Sequence, residues 1–344
     1  MTPKRLKLKK YLSTLIKTGF ALGIIYWLVT QGKINFSALK EVLRPDLIFV
    51  AMALTGVNLF ILSERWRVLL QTQNLHPKPF ELYKLTLIGT FFNFAMPGGV
   101  GGDLVKAFYF YKDHPQSKAL AISSVFVDRV LGLYTIVFMA LAVMLFDLNH
   151  ILNNEILTHL LSAFVIIFFA FTVGLVFLFS KNKIIMGLVL KVLHFLPLRE
   201  KFLKLYHSGQ LYGSETKILL KVFSLSLVGQ VLAVFIMYFV GQFTVSGASI
   251  PLTTFFIVSP IGFMATAIPI SPAGVGVGQA AFYFLYNAYL NTKTDFGPLI
   301  ITINQILAFC YGLVGAFFYL QRKDPRQKIN QLENEILTDN ASSR

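Results

Sequence analysis

The sequence holds 344 residues, 55% of them hydrophobic and 14% charged, with 34 phenylalanines and a mean hydropathy of +0.65. Soluble domains carry about 25% charged residues, so these proportions exclude an ordinary soluble globular protein. The net charge of +15 does not point to nucleic acid, because the lysines and arginines gather in the connections between apolar runs, as the positive-inside bias of membrane proteins requires. The single cysteine, Cys310, excludes an intramolecular disulfide and a cysteine-rich metal site.

In chain order, a basic leader (1–10) precedes apolar runs of membrane length at Tyr11–Val29, Leu47–Leu62, Ala119–Phe146, Ile156–Phe179, Ile218–Phe243 and Pro298–Leu320. A span needs about 20 mostly apolar residues, so six full spans are predicted. The leader resembles the start of a signal peptide. No small-residue cleavage site follows Val29, so the first run is expected to be retained as a span.

Two other apolar stretches break themselves with nearly the same pentapeptide, Pro97–Gly101 (PGGVG) and Pro272–Gly276 (PAGVG). Proline and paired glycines disfavour continued helix.

Basic residues fix how these breaks sit. The leader holds five, Ser63–Lys84 four, Lys106–Lys118 three, Lys181–Lys221 eight and the tail from Arg322 five, giving 25; the alternate connections hold four. The first set is therefore expected in the cytoplasm, with both termini. The stretch 82–112 must then enter and leave by the cytoplasmic face. Leu85 to Met96 spans about 18 Å as helix, roughly half of a 30 Å hydrocarbon core, so this stretch reads as a re-entrant hairpin. The stretch 252–290 reads the same way from the outside.

The predicted fold is an all-α polytopic membrane protein with six full spans and two re-entrant helical hairpins. They form an inverted-topology repeat of two halves, 11–146 and 156–320, joined by an external loop at 147–155. The segment 181–217 is expected as a basic amphipathic stretch on the cytoplasmic leaflet, and 321–344 as a polar cytoplasmic tail.

Irregular backbone survives in hydrocarbon only where protein or water surrounds it, so both tips are expected to point inward. A broken helix exposes N–H groups and a positive dipole end at the start of its second half. Pro97, Gly98, Gly99, Gly101 and Gly102, with Pro272, Gly274, Gly276 and Gln279, are thus candidates for an anion site, phosphate being the usual occupant. Tight glycine packing, with Asp103 capping its helix, is the competing structural reading.

Asp103 and Lys106 share a helix face. Asp128 and Arg129 lie near mid-membrane, where each charge costs at least about 2.5–3.5 kcal/mol without a partner or cavity. As sequence neighbours they face different partners: Arg129 is assigned to the phosphate and Asp128 to a basic group such as Lys106. Arg65, in SERWR at the expected cytoplasmic end of the second span, is a further candidate, although snorkelling to the interface is the preferred reading. Asn58, Asn93, Gln230, Gln279, Asn304 and Gln305 are candidates for lining a cavity or for interhelical hydrogen bonds. No Walker motif, no strand–helix dinucleotide unit and no metal-ligand spacing among the six histidines occurs, so no cofactor, metal or catalytic residue is predicted.

The segments FNFAMPGGVGGDLVKAF, SSVFVDRVLGLYT and AIPISPAGVGVGQAAF together resemble the lysylphosphatidylglycerol synthase transmembrane region, also called the UPF0104 or flippase-like family, over Leu12–Leu320. The resemblance implies movement of aminoacylated or other lipids between leaflets. In that family the domain often precedes a cytosolic aminoacyl transferase, which is missing from this sequence, so translocation rather than lysyl transfer is expected. Asp103 and Lys106 stand where the family more commonly has Glu and Arg. Gln279 stands where it has Glu, which removes a titratable group from the second tip.

The expected function is translocation of a phosphate-bearing membrane lipid in a bacterial-type inner membrane. The alternatives are a membrane-embedded transferase on lipid-linked substrates and an anchor subunit for a separately encoded soluble enzyme. A homo-oligomer is the other partner arrangement considered.

Overall fold

The computed structural model describes residues 45–96, 101–115, 118–194, 199–213, 215–244, 250–268 and 271–322. The leader, the run Tyr11–Val29, the tip residues Pro97, Gly98 and Gly99, and most of the tail lie outside them. Among the described residues there are twelve helices and no strand. These are α1 (Pro45–Gln71), α2 (Pro79–Asn93), α3 (Gly101–Asp113), α4 (Lys118–Phe146), α5 (Leu148–Leu152), α6 (Glu155–Phe179), α7 (Lys183–His194), α8 (Arg199–Tyr212), α9 (Thr216–Thr244), α10 (Leu252–Ala267), α11 (Val277–Leu290) and α12 (Phe296–Gln321).

Five of these helices, α1, α4, α6, α9 and α12, are long and apolar enough to cross a membrane. The protein is a multi-pass, all-helical membrane protein. By contrast α2, α3, α10 and α11 have 15, 13, 16 and 14 residues. At 1.5 Å per residue they reach about 20–24 Å, short of a 30 Å core.

Local sequence sets the helix ends. α2 starts on Pro79, whose missing N–H costs nothing in a first turn, behind an extended Lys78. α6 is capped by Asn154, whose Oδ1 accepts the Leu157 N–H at 3.2 Å. α11 stops at Asn291 in the left-handed region.

The basic segment after α6 forms two helices, α7 and α8. Of these, α8 packs on both α4 and α6.

The expected end of the second apolar run at Leu62 is corrected. α1 continues to Gln71, and its last turns are buried: Trp66, Leu69 and Leu70 are fully enclosed. Polar residues lower the hydropathy after Leu62 without breaking the helix, and Glu64 and Arg67 even pair along it at 2.6 Å. Arg65 therefore sits inside the bundle and does not snorkel. Lys106 is also buried. Setting these two aside leaves the count of connection charges at 23 against four.

The short helices pack in two similar pairs, each against a long helix. α2 and α3 pack on each other, as do α10 and α11, while α2 lies along α12 and α10 along α4. α3 approaches α2 closely: a Cβ on Gly102 would collide with the Gly89 carbonyl oxygen and with Asn93 Oδ1. Small residues of this kind let membrane helices touch backbone to backbone.

Candidate functional site

The second pentapeptide forms a tight turn. Val275 N–H donates to the Pro272 carbonyl at 2.9 Å and Gly274 N–H to that of Ser271 at 3.2 Å. Gly274 and Gly276 have φ of 70° and 88°, values that glycine adopts without steric cost.

This turn meets the end of α2, where Ala273 N–H donates to the Asn93 carbonyl at 2.8 Å. A terminal helix carbonyl that lacks an intrahelical partner is thereby satisfied. The Asn93 side chain works in the other direction: its Oδ1 accepts the Gly102 N–H at 2.9 Å. One asparagine thus joins the end of α2, the start of α3 and the second turn.

Gln279 has a parallel task. Its Oε1 accepts the Gly276 N–H at 2.7 Å, and its Nε2 donates to Thr302 Oγ1 at 3.0 Å and Gln305 Oε1 at 2.8 Å. Replacing Gln279 with Leu removes all three bonds, an expected loss of about 1–3 kcal/mol. Gln279→Glu keeps the acceptor for Gly276 but has no amide donor for the other two. Thermal melts in detergent should therefore rank the native chain first, Gln279→Glu second and Gln279→Leu last.

Beside this turn lies a cavity of about 370 Å³. Of the residues singled out from sequence, Arg65, Asp103, Lys106, Asp128 and Arg129 line it, with Asn93, Gln230, Asn304 and Gln305. Gly101, Gly102, Pro272, Gly274, Gly276 and Gln279 are not among its lining residues. Two of their N–H groups, those of Gly102 and Gly276, are taken up by Asn93 and Gln279; the positive side chains lining the cavity are those of Arg65, Lys106 and Arg129.

Those side chains form one cluster. Arg65 grips Asp128 with two bonds, Nε to Oδ1 at 2.7 Å and an Nη to Oδ2 at 2.9 Å, and donates its other Nη to Ser226 Oγ at 2.7 Å. Lys106 Nζ lies 2.9 Å from Asp103 Oδ1 and 3.7 Å from Asp128 Oδ2. It also sits 5.0 Å from the centre of the Trp66 ring, a cation–π position. Trp66 is fixed by its indole N–H to Ser124 Oγ at 2.9 Å. Arg129 Nε bonds Asp103 Oδ2.

Asp128 and Arg129 do have different partners. However, the main partner of Asp128 is Arg65, with Lys106 second. Three cations against two carboxylates leave this group with one excess positive charge.

The side chains of Arg65 and Asp128 are 8% and 3% exposed, whereas that of Arg129 is 35% exposed. Ser226, Ser124 and Trp66 carried no sequence signal beyond their helices. The signal for Arg65 was available, since Trp66, Leu69 and Leu70 continue the apolar pattern past Ser63 at helical spacing.

Comparison with known proteins agrees with the membrane fold. A UPF0104 membrane protein of Methanocaldococcus jannaschii is 24% identical over 195 residues, which cover 56% of each chain. The match thus spans about half the length of that relative. No solved structure matches. Residues 14–319 match the family described as the lysylphosphatidylglycerol synthase TM region, and the chain belongs to that family.

Proposed function

We propose that the protein is a flippase-like lipid translocase that carries a phosphate-bearing headgroup through the cavity while the acyl tails stay in the bilayer. The observation that carries this reading is the cluster of Arg65, Lys106 and Arg129 with Asp103 and Asp128. It borders a cavity of about 370 Å³ within apolar helices. Ionisable groups inside a membrane bundle are expensive, and they mark pathways for charged substrates. One excess positive charge suits an anionic headgroup, and arginine forks match phosphate oxygens.

In this reading α2–α3 and α10–α11 are re-entrant hairpins entering from opposite faces, in two inverted halves with the termini in the cytoplasm. Support comes from their short helices, from the bond between Ala273 and Asn93, and from the reciprocal packing of α2 on α12 and α10 on α4. Irregular backbone at the second turn, which meets the end of α2, is then enclosed by protein, as the bilayer demands.

Reconstitution into liposomes with fluorescent phospholipids of several headgroups tests the proposal. Bleaching of inner-leaflet probe by an external reductant should be much faster than in protein-free vesicles. Equal rates for every headgroup would sink it.

A further inference from the structure

The polar groups lining the cavity fall into two sets that differ in how fully they are used. The charged set comes from α1, α3 and α4, and each member is bonded to another member. The uncharged set comes from α2, α9 and α12. Among the described residues, the side-chain amides of Gln230 and Asn304 make no hydrogen bond. Thr86 Oγ1 is buried without a partner, and Asn93 commits its Oδ1 alone. Polar groups enclosed by protein are normally hydrogen-bonded, so this set points to a ligand that enters the cavity.

Sequence spacing gathers the uncharged set at that place. Thr86, Thr90 and Asn93 follow one another at helical spacing on α2, which puts them on one face. Gln230 stands one turn beyond Ser226, whose hydroxyl takes an Arg65 Nη at 2.7 Å, so α9 brings an unused amide beside the charged cluster. An offset of 176 residues takes Asp128 to Asn304 and Arg129 to Gln305, and all four line the cavity. Where α4 presents charges, α12 presents neutral amides.

Chemistry decides what such a cavity accepts. Asp128 is held by Arg65 and Lys106, and Asp103 by Lys106 and Arg129. An incoming ammonium would have to displace a cation already in place. A phosphate meets the excess positive charge instead. Amides and hydroxyls both donate and accept, as alcohol groups do. The volume of about 370 Å³ lies within the range of small-molecule sites, with room beyond the phosphate itself.

We propose that the cavity selects a lipid whose phosphate carries a neutral, hydroxyl-bearing group such as glycerol or a sugar, and that it disfavours amine-bearing headgroups. The phosphate faces the cations, Arg129 above all, while the hydroxyls bond to Gln230, Asn304, Thr86 Oγ1 and Asn93 Nδ2. The assignment rests on the translocase reading for the lipid being cargo, but the binding preference is measurable without transport.

The probes are three short-chain lipids: phosphatidylglycerol, phosphatidylmethanol, which has the same charge but no hydroxyl, and phosphatidylethanolamine. Each is titrated onto the full-length chain in detergent, and the concentration giving half of the maximal thermal stabilisation is read. Phosphatidylglycerol should bind about tenfold more tightly than phosphatidylmethanol, as one or two hydrogen bonds to neutral groups would give. Phosphatidylethanolamine should bind most weakly. The double variant Gln230→Leu/Asn304→Leu should collapse the preference for glycerol over methanol.

Equal affinities for phosphatidylglycerol and phosphatidylmethanol, tightest binding of phosphatidylethanolamine, or stabilisation by none of the three would overturn the assignment. So would a folded double variant that keeps the full preference. The comparison on the native chain needs no variant, so the test stands even where the double variant misfolds. The same lipids in the liposome assay separate the two readings. Binding in the expected order without movement of any headgroup removes the translocase alone, and movement without the order removes the headgroup assignment alone.

Discussion

Asp128→Asn is expected to cost far more folded protein than Arg65→Gln, although the two residues form one bidentate pair. Both side chains are almost wholly enclosed, at 3% and 8% exposure. Removing one member of a buried pair typically costs about 3–5 kcal/mol, because the other charge is left uncompensated in a low-dielectric setting. The remaining neighbours decide the asymmetry. Without Asp128, Arg65 keeps only the neutral Ser226 hydroxyl, and the cluster holds three cations against one carboxylate. Without Arg65, Asp128 still has Lys106 Nζ at 3.7 Å, and two cations balance two carboxylates. The double variant Arg65→Gln/Asp128→Asn should recover much of the loss, because it leaves Lys106 and Arg129 around Asp103. Fluorescence-detected size exclusion and thermal melts in detergent measure the order. Equal losses for the two single variants would mean that the pair is solvated enough for net charge not to matter.

The same cluster shows how far the sequence could be read. Spacing of three put Asp103 and Lys106 on one helix face, and they pair at 2.9 Å. Adjacency forbade a shared face for Asp128 and Arg129, and they point to different partners. Apolar run length located α1, α4, α6, α9 and α12, since hydrocarbon demands long uninterrupted helices with few charges. What stayed hidden was set by tertiary contact. Arg65 lies 63 positions from Asp128 and 161 from Ser226, and no local pattern encodes those meetings. The drop in hydropathy at SERWR was equally compatible with a helix leaving the membrane and with a helix turning a charged face inward. The role of the tip glycines was also underdetermined. A free helix N-terminus and a capped one look alike in sequence until the capping side chains, Asn93 and Gln279, are seen to reach them.

Arg129→Ala should slow lipid movement by one to two orders of magnitude while leaving the fold intact, the reverse of the outcome for Asp128. Its side chain is 35% exposed, the highest among the clustered groups, so removing it strands no wholly buried charge on its own side. Its partner Asp103 keeps Lys106 Nζ at 2.9 Å, so the carboxylate remains compensated. What changes is the sum: the cluster goes from one excess positive charge to neutral and loses the guanidinium most open to the cavity. A hydrogen bond to a charged group contributes about 1.5–3 kcal/mol, which at 1.36 kcal/mol per tenfold is a fall of roughly 10- to 150-fold in the rate of headgroup passage. Arg129→Lys should recover part of that rate, since it restores the charge without the planar fork that meets two phosphate oxygens. The measurement is flipping in liposomes at matched protein density, with melting temperature recorded on the same preparations. Native rates for Arg129→Ala would remove Arg129 from the path of the headgroup. A collapse of the melt along with the rate would assign it to the fold instead.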